Sequence, residues 1–471
     1  MNRPIHPASP PLTSSDGCPA PAVTRSALGS AALRVVDIDR GVAIEAAAFD
    51  ERVEAFARAL GRRRARGLAL VVAHASVPTL VAHFGLLRAG WVSMLVPAGS
   101  RRDALDRWEA AYDPEFVVDD PRAEVEDDGA SLAGVRARVR PSAGEEIPPG
   151  CAVMLSTSGT TGSPRFVRLS AAAIDANAAA IVATLGIGLE DRGLLPIPLA
   201  FAYGLSVVHS HAIAGASVAL SSRSFTDKTL WLDAASSGVT SVPAVPYGYQ
   251  LLARTGFLDL PFPSLRVMTQ AGGRLDRALV TKFLDALEGR GASLVSMYGQ
   301  SEATARIAVM PAAFARAKLG SAGRVIPGGS LHIEDGEVVF RGLSVMLGYA
   351  ECRADLARGD LLGGELRTGD LGSLDEDGFL WISGRASRFS KLFGVRVSLD
   401  DLEASLERFG PAAVVERAEK LVVVVEAAAD VSAIAEHFAT RFGIQPLHVR
   451  IRVGEALPRS PNGKVAYAVI A

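Results

Sequence analysis

The sequence predicts an α/β protein: a large N-terminal domain of two helix-covered, mainly parallel sheets with a β-rich subdomain, then a small α+β C-terminal domain. Three observations predict it. Short apolar runs alternate with helical patterns from Gly67 to about Gln300, as they do where parallel strands are joined by covering helices. After about Gly320 the chain changes to closely spaced alternating runs broken by turn residues, the pattern of hairpins. At 471 residues it exceeds one ordinary core, so two or three domains are expected.

Taken in order, residues 1–30 are rich in Pro and Ser and lack a continuous apolar run; they read as a disordered tail rather than a signal peptide. Residues 68–73 read as a strand, 77–88 as a helix, 91–97 as a strand, 102–112 as a helix and 116–119 as a short strand. The apolar run Cys151-Ala152-Val153-Met154-Leu155 is a strand that opens into a polar loop. The alternation resumes with a helix over 171–185, a strand over 194–198, a helix over 204–214 and a strand over 217–221. A helix over 227–236 and strands over 240–242 and 265–269 follow, then a helix over 276–288 and a strand over 294–298. In such sheets ligands sit beyond the carboxyl ends of the strands, and residues 156–165 and 298–302 both follow apolar runs. Asp335-Gly336 between two alternating runs predicts a hairpin over 331–340, and a second hairpin-like unit falls at 375–382. Beyond Ser387, residues 389–397 precede a helix over 400–409, strands over 413–416 and 421–426, a helix over 432–442 and a strand over 448–453. Residues 457–467 read as a loop. The expected division is a tail over 1–30, a large domain over 31–386 and a small domain over 387–471.

Bulk properties narrow the function. The formal net charge of -2 gives no reason to expect nucleic acid or an anionic membrane as partner, and no apolar run approaches the roughly 20 residues of a membrane span. Cys18, Cys151 and Cys352 are far apart, without CxxC or histidine pairing. They make neither a disulfide framework nor a metal site, and they suit a reducing cytoplasm.

The polar loop is Ser156-Thr157-Ser158-Gly159-Thr160-Thr161-Gly162-Ser163-Pro164-Arg165. Hydroxyls and bare backbone N–H groups after a strand can wrap a polyphosphate. Gly159 and Gly162 let the backbone approach phosphate oxygens with no Cβ between, and Arg165 adds a cation at the far end. The common P-loop closes in Gly-Lys-Ser/Thr and opens a helix; here Pro164 follows instead, which points away from the usual ATPase and GTPase folds.

Four further segments complete the pattern: Met297-Tyr298-Gly299-Gln300-Ser301-Glu302, Leu366-Arg367-Thr368-Gly369-Asp370, Ser383-Gly384-Arg385-Ala386-Ser387 and Pro458-Arg459-Ser460-Pro461-Asn462-Gly463-Lys464. The set resembles the adenylate-forming enzymes: acyl- and aryl-CoA synthetases, peptide-synthetase adenylation domains and beetle luciferases. The resemblance covers the chain from about residue 30 to its end. It implies attack of a carboxylate on the α-phosphorus of ATP. Both reagents are anions, so cations and N–H donors must neutralise the triphosphate and the developing charge.

Residue by residue, the resemblance implies that Thr157, Ser158, Gly159, Thr160, Thr161 and Gly162 cradle the β- and γ-phosphates. Arg165 stands where relatives usually have Lys, keeping the charge and gaining a bidentate fork. Glu302 matches the Mg²⁺ ligand, with Thr160 as a hydroxyl partner; hard oxygen ligands suit that ion. Tyr298 matches the aromatic that stacks on adenine, in a turn with Gly299 and Ser301. Asp370 matches the carboxylate that accepts the ribose hydroxyls, and Arg385 a second ribose or phosphate contact. Lys464 falls at the catalytic-lysine position, where it bridges the carboxylate and the α-phosphate; the motif ends in Tyr467 where most relatives have Arg. Ser387 matches the family's pivot, which implies a small, mobile C-terminal domain that rotates between adenylation and thioester formation. Lys391 and Gly394 match the segment brought in for the second step.

The acyl pocket implied by the resemblance draws on Phe201, in place of a gating His, and on Tyr203. Gln270 and Ala271 form a second wall near adenine, together with Gly272 and Gly273. Arg306 either faces this pocket or pairs on the surface. No Asp occupies the position that holds an α-ammonium in amino-acid-activating relatives, which favours a carboxylic acid without an α-amino group. Three functions remain. The first is an ATP-dependent acid–thiol ligase with CoA or the phosphopantetheine of an acyl carrier protein as acceptor. The second is the same adenylation followed by attack from a nitrogen nucleophile. The third is an inactive relative that binds nucleotide or acyl groups. The convergence of Arg165, a Glu302-bound magnesium and Lys464 on one phosphorus is the expectation on which the catalytic readings depend.

Overall fold

The computed structural model describes Leu28 and residues 33–62, 65–118, 131–132, 135–140, 146–156, 165–385, 388–392, 395–417, 420–460 and 463–470. Nine strands form the larger sheet. Its parallel centre runs Arg34–Asp37, Ser217–Leu220, Arg192–Leu195, Ser241–Ala244, Val267–Gln270 and Ser293–Tyr298 in spatial order. Val42–Ile44 closes one edge antiparallel, and Ala308–Val309 with Arg324–Val325 closes the other.

A seven-stranded sheet faces it. Cys151–Ser156, Val92–Pro97, Leu68–Ala73 and Phe116–Val118 lie parallel and adjacent. Phe166–Ser170 and then Gly348–Ala350 extend this sheet antiparallel, and Arg138–Val139 ends the far side. Leu68–Ala73 is buried at every position, which is why its run is uninterruptedly apolar. Helices Val77–Arg88 and Ala202–Ile213 fill the space between the sheets. Ser76 caps the first by accepting from the Thr79 N–H at 3.4 Å, and His83 on that helix meets His209 on the other, Nε2 to Nε2 at 2.9 Å. One apolar core therefore spans both sheets, from Val71 and Leu95 to Leu195 and Val218. Leu28, inside the segment expected to be a tail, is 1% exposed in that core; residues 1–27 lie outside the described part.

A four-stranded antiparallel sheet follows: Gly329–Glu334, Glu337–Gly342, Glu365–Leu374 and Leu380–Arg385. Its first turn is Asp335-Gly336, both at positive φ (52° and 80°), the backbone that an Asp-Gly hairpin turn requires. The C-terminal region has its own core, in which Leu402, Val414, Val423, Ile434 and Phe438 are buried together. The core packs helices Leu399–Ser405 and Val431–Phe442 on a three-stranded sheet of Ala412–Arg417, Lys420–Val425 and Val449–Val453. Ahead of them Phe389–Leu392 pairs antiparallel with Val395–Ser398. The expected helix over 400–409 ends at Ser405 and gives way to a 3-10 turn over Glu407–Phe409.

Candidate active site

The site is built where the last parallel strand of the larger sheet, Ser293–Tyr298, runs out. The turn behind it is crowded. A Cβ at Gly299 would lie 1.9 Å from the Ala305 carbonyl oxygen and 2.9 Å from the Arg306 Cα, so only glycine fits there. Tyr298 donates its hydroxyl to Asp370 Oδ2 at 2.5 Å. Burial pushes the Tyr298 phenol far above its ordinary pKa, and the Asp370 charge pushes the same way. Asp370 is 4% exposed. The register of Glu365–Leu374 on Leu380–Arg385 sets Arg385 directly opposite it, and Arg385 Nε donates to Asp370 Oδ1 at 3.0 Å. Each carboxylate oxygen thus takes one protein donor and keeps further lone pairs for ribose hydroxyls.

Glu302 sits in the 3-10 turn Ser301–Ala303, which also carries Ser301. Its Oε1 accepts from the Tyr349 hydroxyl at 2.9 Å. The face of the Tyr349 ring carries Arg165, with Cζ 3.8 Å from the ring centroid. Register explains the meeting, because Val167 pairs with Tyr349 across the antiparallel strands and Arg165 lies two residues before it. Tyr349 thereby holds the expected cation and the expected metal-binding carboxylate on one side chain. Burial raises its phenol pKa, Glu302 adds to that and Arg165 opposes it. Sequence reasoning did not single out Tyr349; the dipeptide Gly348-Tyr349 was its only signal.

Lys464 reaches this cleft from the small domain. Its loop is a tight turn: the Gly463 N–H donates to the Ser460 carbonyl and the Ser460 N–H to the Lys464 carbonyl, both at 2.8 Å. The turn docks on the large domain, with the Arg459 guanidinium 4.4 Å over the Tyr247 ring and Gly463 against Val245 and Tyr247. Lys464 Cε passes 3.9 Å from where a Cβ on Gly272 would stand. The residue is exposed to the open cleft, but its ammonium is crowded by the cleft walls. That crowding and the Arg385 charge lower its pKa, while Glu302 and Asp370 oppose them. All three charges are therefore within electrostatic reach of the ammonium.

Gly272 (φ +85°) and Gly273 turn the chain at the end of Val267–Gln270. Gln270, itself buried, ties that turn by donating Nε2 to the Gly273 carbonyl at 2.7 Å. Tyr203 and Arg306 stack on each other at 4.3 Å, and the Tyr203 hydroxyl lies 2.8 Å from both oxygens of Thr269. Phe201, half-buried at the head of its helix, and Gln270 and Ala271 do not line the cavity that Arg306 faces. Thr157, Ser158, Gly159, Thr160, Thr161, Gly162, Ser387 and Gly394 lie outside the described residues. Lys391 falls in strand Phe389–Leu392 opposite Arg396, with its side chain outside the described part.

With fold and cleft defined, relatives place the chain. The sequence profile of the AMP-binding enzyme family matches residues 24–350, and the chain belongs to that family. It is 33% identical over 248 residues to the 2-succinylbenzoate–CoA ligase of Bacillus cereus, a match covering 50% of this chain and 49% of that one. It is 26% identical over 326 residues to the same ligase of Listeria innocua, covering 67% and 68%, and 33% identical over 244 residues to the indoleacetate–CoA ligase of Aromatoleum aromaticum, covering 49% and 46%. The chain thus spans about half the length of most of these curated relatives. Among solved structures it resembles the o-succinylbenzoate CoA synthetase of Bacillus subtilis in complex with its acyl-adenylate intermediate, with TM-score 0.75 and 22% identity over 93% of this chain and 94% of the other. It also resembles ATP-bound MatB from Rhodopseudomonas palustris, with TM-score 0.76 and 20% identity over 93% and 95%. At these identities the likeness establishes the fold. Among the described residues no helix is long and apolar enough to cross a membrane.

Proposed function

We propose that this protein activates a carboxylic acid with ATP and passes the acyl group to the thiol of CoA. In the first step a carboxylate oxygen bonds to the α-phosphorus and the bond to the β-phosphate breaks, releasing pyrophosphate. In the second a thiolate attacks the acyl carbon and AMP leaves. The observation that carries this reading is the gathering of Arg165, Glu302, Asp370, Arg385 and Lys464 around one cleft between the large and small domains. Asp370 and Arg385 are suited to orient a nucleoside. Lys464 enters from the opposite lobe, where its ammonium can bridge two anionic reagents. Glu302 offers hard oxygen donors, and its second carboxylate oxygen has no protein partner among the described residues, so it fits Mg²⁺. Glu302, with Thr160, would hold that ion, which neutralises triphosphate charge when bound. CoA as acceptor is supported by the relatives named as CoA ligases.

The test is acid-dependent pyrophosphate release, followed by thioester formation with CoA, free pantetheine or a carrier protein offered in parallel. Pyrophosphate release that no carboxylic acid stimulates rejects adenylation. Adenylation with no transfer to CoA rejects the acceptor assignment alone.

A further inference from the structure

The contact between the lobes at the Lys464 loop is prepared on both sides. On the large domain, strand Ser241–Ala244 ends at Val245, and helix Pro246–Arg254 opens on its proline. A proline at the first helical position has its φ already set for the helix. Pro246 also packs on the Gly272-Gly273 turn, with its Cγ 3.3 Å from where a Cβ on Gly273 would stand. Tyr247 therefore projects from a fixed first turn at the rim of the cleft. Val245 beside it spans the two lobes. Its Cγ1 lies 3.3 Å from a Cβ built on Gly272, and its Cγ2 3.1 Å from one built on Gly463.

The small domain presents Arg459. Nη1 donates to the Gly463 carbonyl at 3.2 Å and Nη2 to Glu426 Oε1 at 3.1 Å. The same carboxylate oxygen accepts the Leu457 N–H at 3.1 Å, which ties down the entry of the loop. The guanidinium is thus oriented by its own domain, and little side-chain freedom remains to be lost when it meets the Tyr247 ring at 4.4 Å. The Arg459 side chain is only 16% exposed, and a partly desolvated cation gains more from a ring face than an exposed one. Arg459 and Lys464 share one tight turn, in which the Lys464 carbonyl accepts from both the Ser460 N–H and the Ser460 hydroxyl, at 2.8 and 3.0 Å. Seating the arginine on the ring therefore fixes where the ammonium arrives. Gly463 completes the fit: at φ +77° and against Val245 and Tyr247, a side chain there would hold the turn off the wall.

We propose that Tyr247 is a positioning residue for adenylation: its ring is the post on which Arg459 seats the small domain, and that seating sets how much of the time Lys464 stands in the cleft. Tyr247 acts through Arg459 and the turn it shares with Lys464. The ring face carries the contact, so the hydroxyl is dispensable. A cation on a partly desolvated ring shifts a two-state equilibrium by about three- to thirtyfold. The inference rests on the adenylation reading for its catalytic consequence and on the contact between the lobes for the docking itself.

The test uses the full-length protein carrying Cys18→Ser and Cys352→Ser, with Cys151 left in place because it is buried. Spin labels are attached at Lys282→Cys on the large domain and Glu436→Cys on the small one, both exposed positions. Pulsed electron resonance then reads the ratio of the docked interlobe distance to all others. Tyr247 is only partly buried, so its variants are expected to retain the fold. Tyr247→Phe keeps the ring and should leave the ratio unchanged, whereas Tyr247→Leu should lower it by about three- to thirtyfold. In single-turnover assays Tyr247→Leu should slow acid-dependent pyrophosphate release by about threefold or more. Transfer from a supplied acyl-adenylate to CoA should not slow, and Tyr247→Phe should match the wild type in both steps. In an Arg459→Gln background Tyr247→Leu should add no further loss, as expected when two residues act through one contact. An unchanged distance ratio in Tyr247→Leu, equal slowing of the two half-reactions, or full additivity with Arg459→Gln overturns the inference. If no acid yields pyrophosphate but Tyr247→Leu lowers the docked fraction and Tyr247→Phe does not, the docking post stands and adenylation falls.

Discussion

Two single side chains govern the charge of the cleft. Lys464 carries its ammonium to a place where the walls and Arg385 disfavour the charge while Glu302 and Asp370 favour it. Loss of one preorganised charge partner costs about 10²–10³ in rate, so Lys464→Ala is expected to slow adenylate formation by that factor. An adenylation rate unchanged in single-turnover assays would remove the residue from the mechanism. The same environment sets a pH dependence. A lysine whose pKa is lowered loses its charge as pH rises through that lowered value, before an ordinary lysine at 10.5 does. The alkaline limb of the adenylation rate should therefore begin below pH 10.5 in the wild type and move upward in Lys464→Arg. An unmoved limb would assign it to another group. Tyr349 is the second such residue. Hydrogen bonds to charged groups contribute about 1.5–3 kcal/mol, and Tyr349→Phe deletes the bond to Glu302 while keeping the ring beneath Arg165. The expected result is a rise of about tenfold in KM for MgATP with the fold intact. Wild-type KM in the variant would reduce Tyr349 to packing.

The segment that joins Glu302 to Arg306 is a three-residue turn under strain. Thr304 has φ 66° and ψ -52°, and the Ala305 N–H donates across it to the Ala303 carbonyl at 2.7 Å. A β-branched residue in such a turn is disfavoured by about 1–3 kcal/mol. The bond from Thr304 Oγ1 to the Ser344 carbonyl at 2.6 Å offsets part of this. In an ordinary element Gly is less stable than Ala by about 0.5–1 kcal/mol. Here both substitutions lose the hydroxyl bond but only Gly relieves the strain, so Thr304→Gly should melt above Thr304→Ala; the opposite order would remove strain from the account. Sequence reasoning could not reach this turn, because a positive φ at Thr leaves no mark in composition. It did reach the strands and helices with strong local periods, such as Leu68–Ala73, Val77–Arg88 and Ala171–Leu185, within a residue or two. It missed Arg34–Asp37, where only Val35 is buried and the partner Ser217–Leu220 is far along the chain. It missed Phe166–Ser170, whose central Arg168 breaks the apolar pattern. That side chain is fully buried and ties to the carbonyls of Leu347, Arg358 and Gly359 on the neighbouring segment. The site was legible where a motif is contiguous, as at residues 298–302, and hidden where a partner such as Tyr349 arrives from another strand.

At the scale of the molecule, two lobes meet at a short junction whose flanks are tied by ion pairs. On the large-domain side Arg385 binds Asp370. On the small-domain side Arg388 binds Asp400 and Glu403, each at 2.6 Å, and lies 3.8 Å over the Tyr467 ring. Tyr467 in turn donates its hydroxyl to Glu403 at 3.0 Å, which fixes the loop that carries Lys464 to the small domain's first helix. A rotation of the small domain would therefore move Lys464 as part of a rigid body, with the φ/ψ change confined to the residues between the two arginines. If one orientation serves adenylation and another serves thioester formation, two lysines of the same domain should divide the half-reactions between them. Lys464→Ala should impair adenylate formation and leave transfer from a supplied acyl-adenylate near wild type. Lys391→Ala should do the reverse, sparing pyrophosphate release and slowing transfer to CoA by about tenfold or more, the scale of one lost charge contact. Measuring both half-reactions in both variants decides the matter, since equal damage to the two steps by Lys391→Ala is incompatible with a domain that presents different faces in turn.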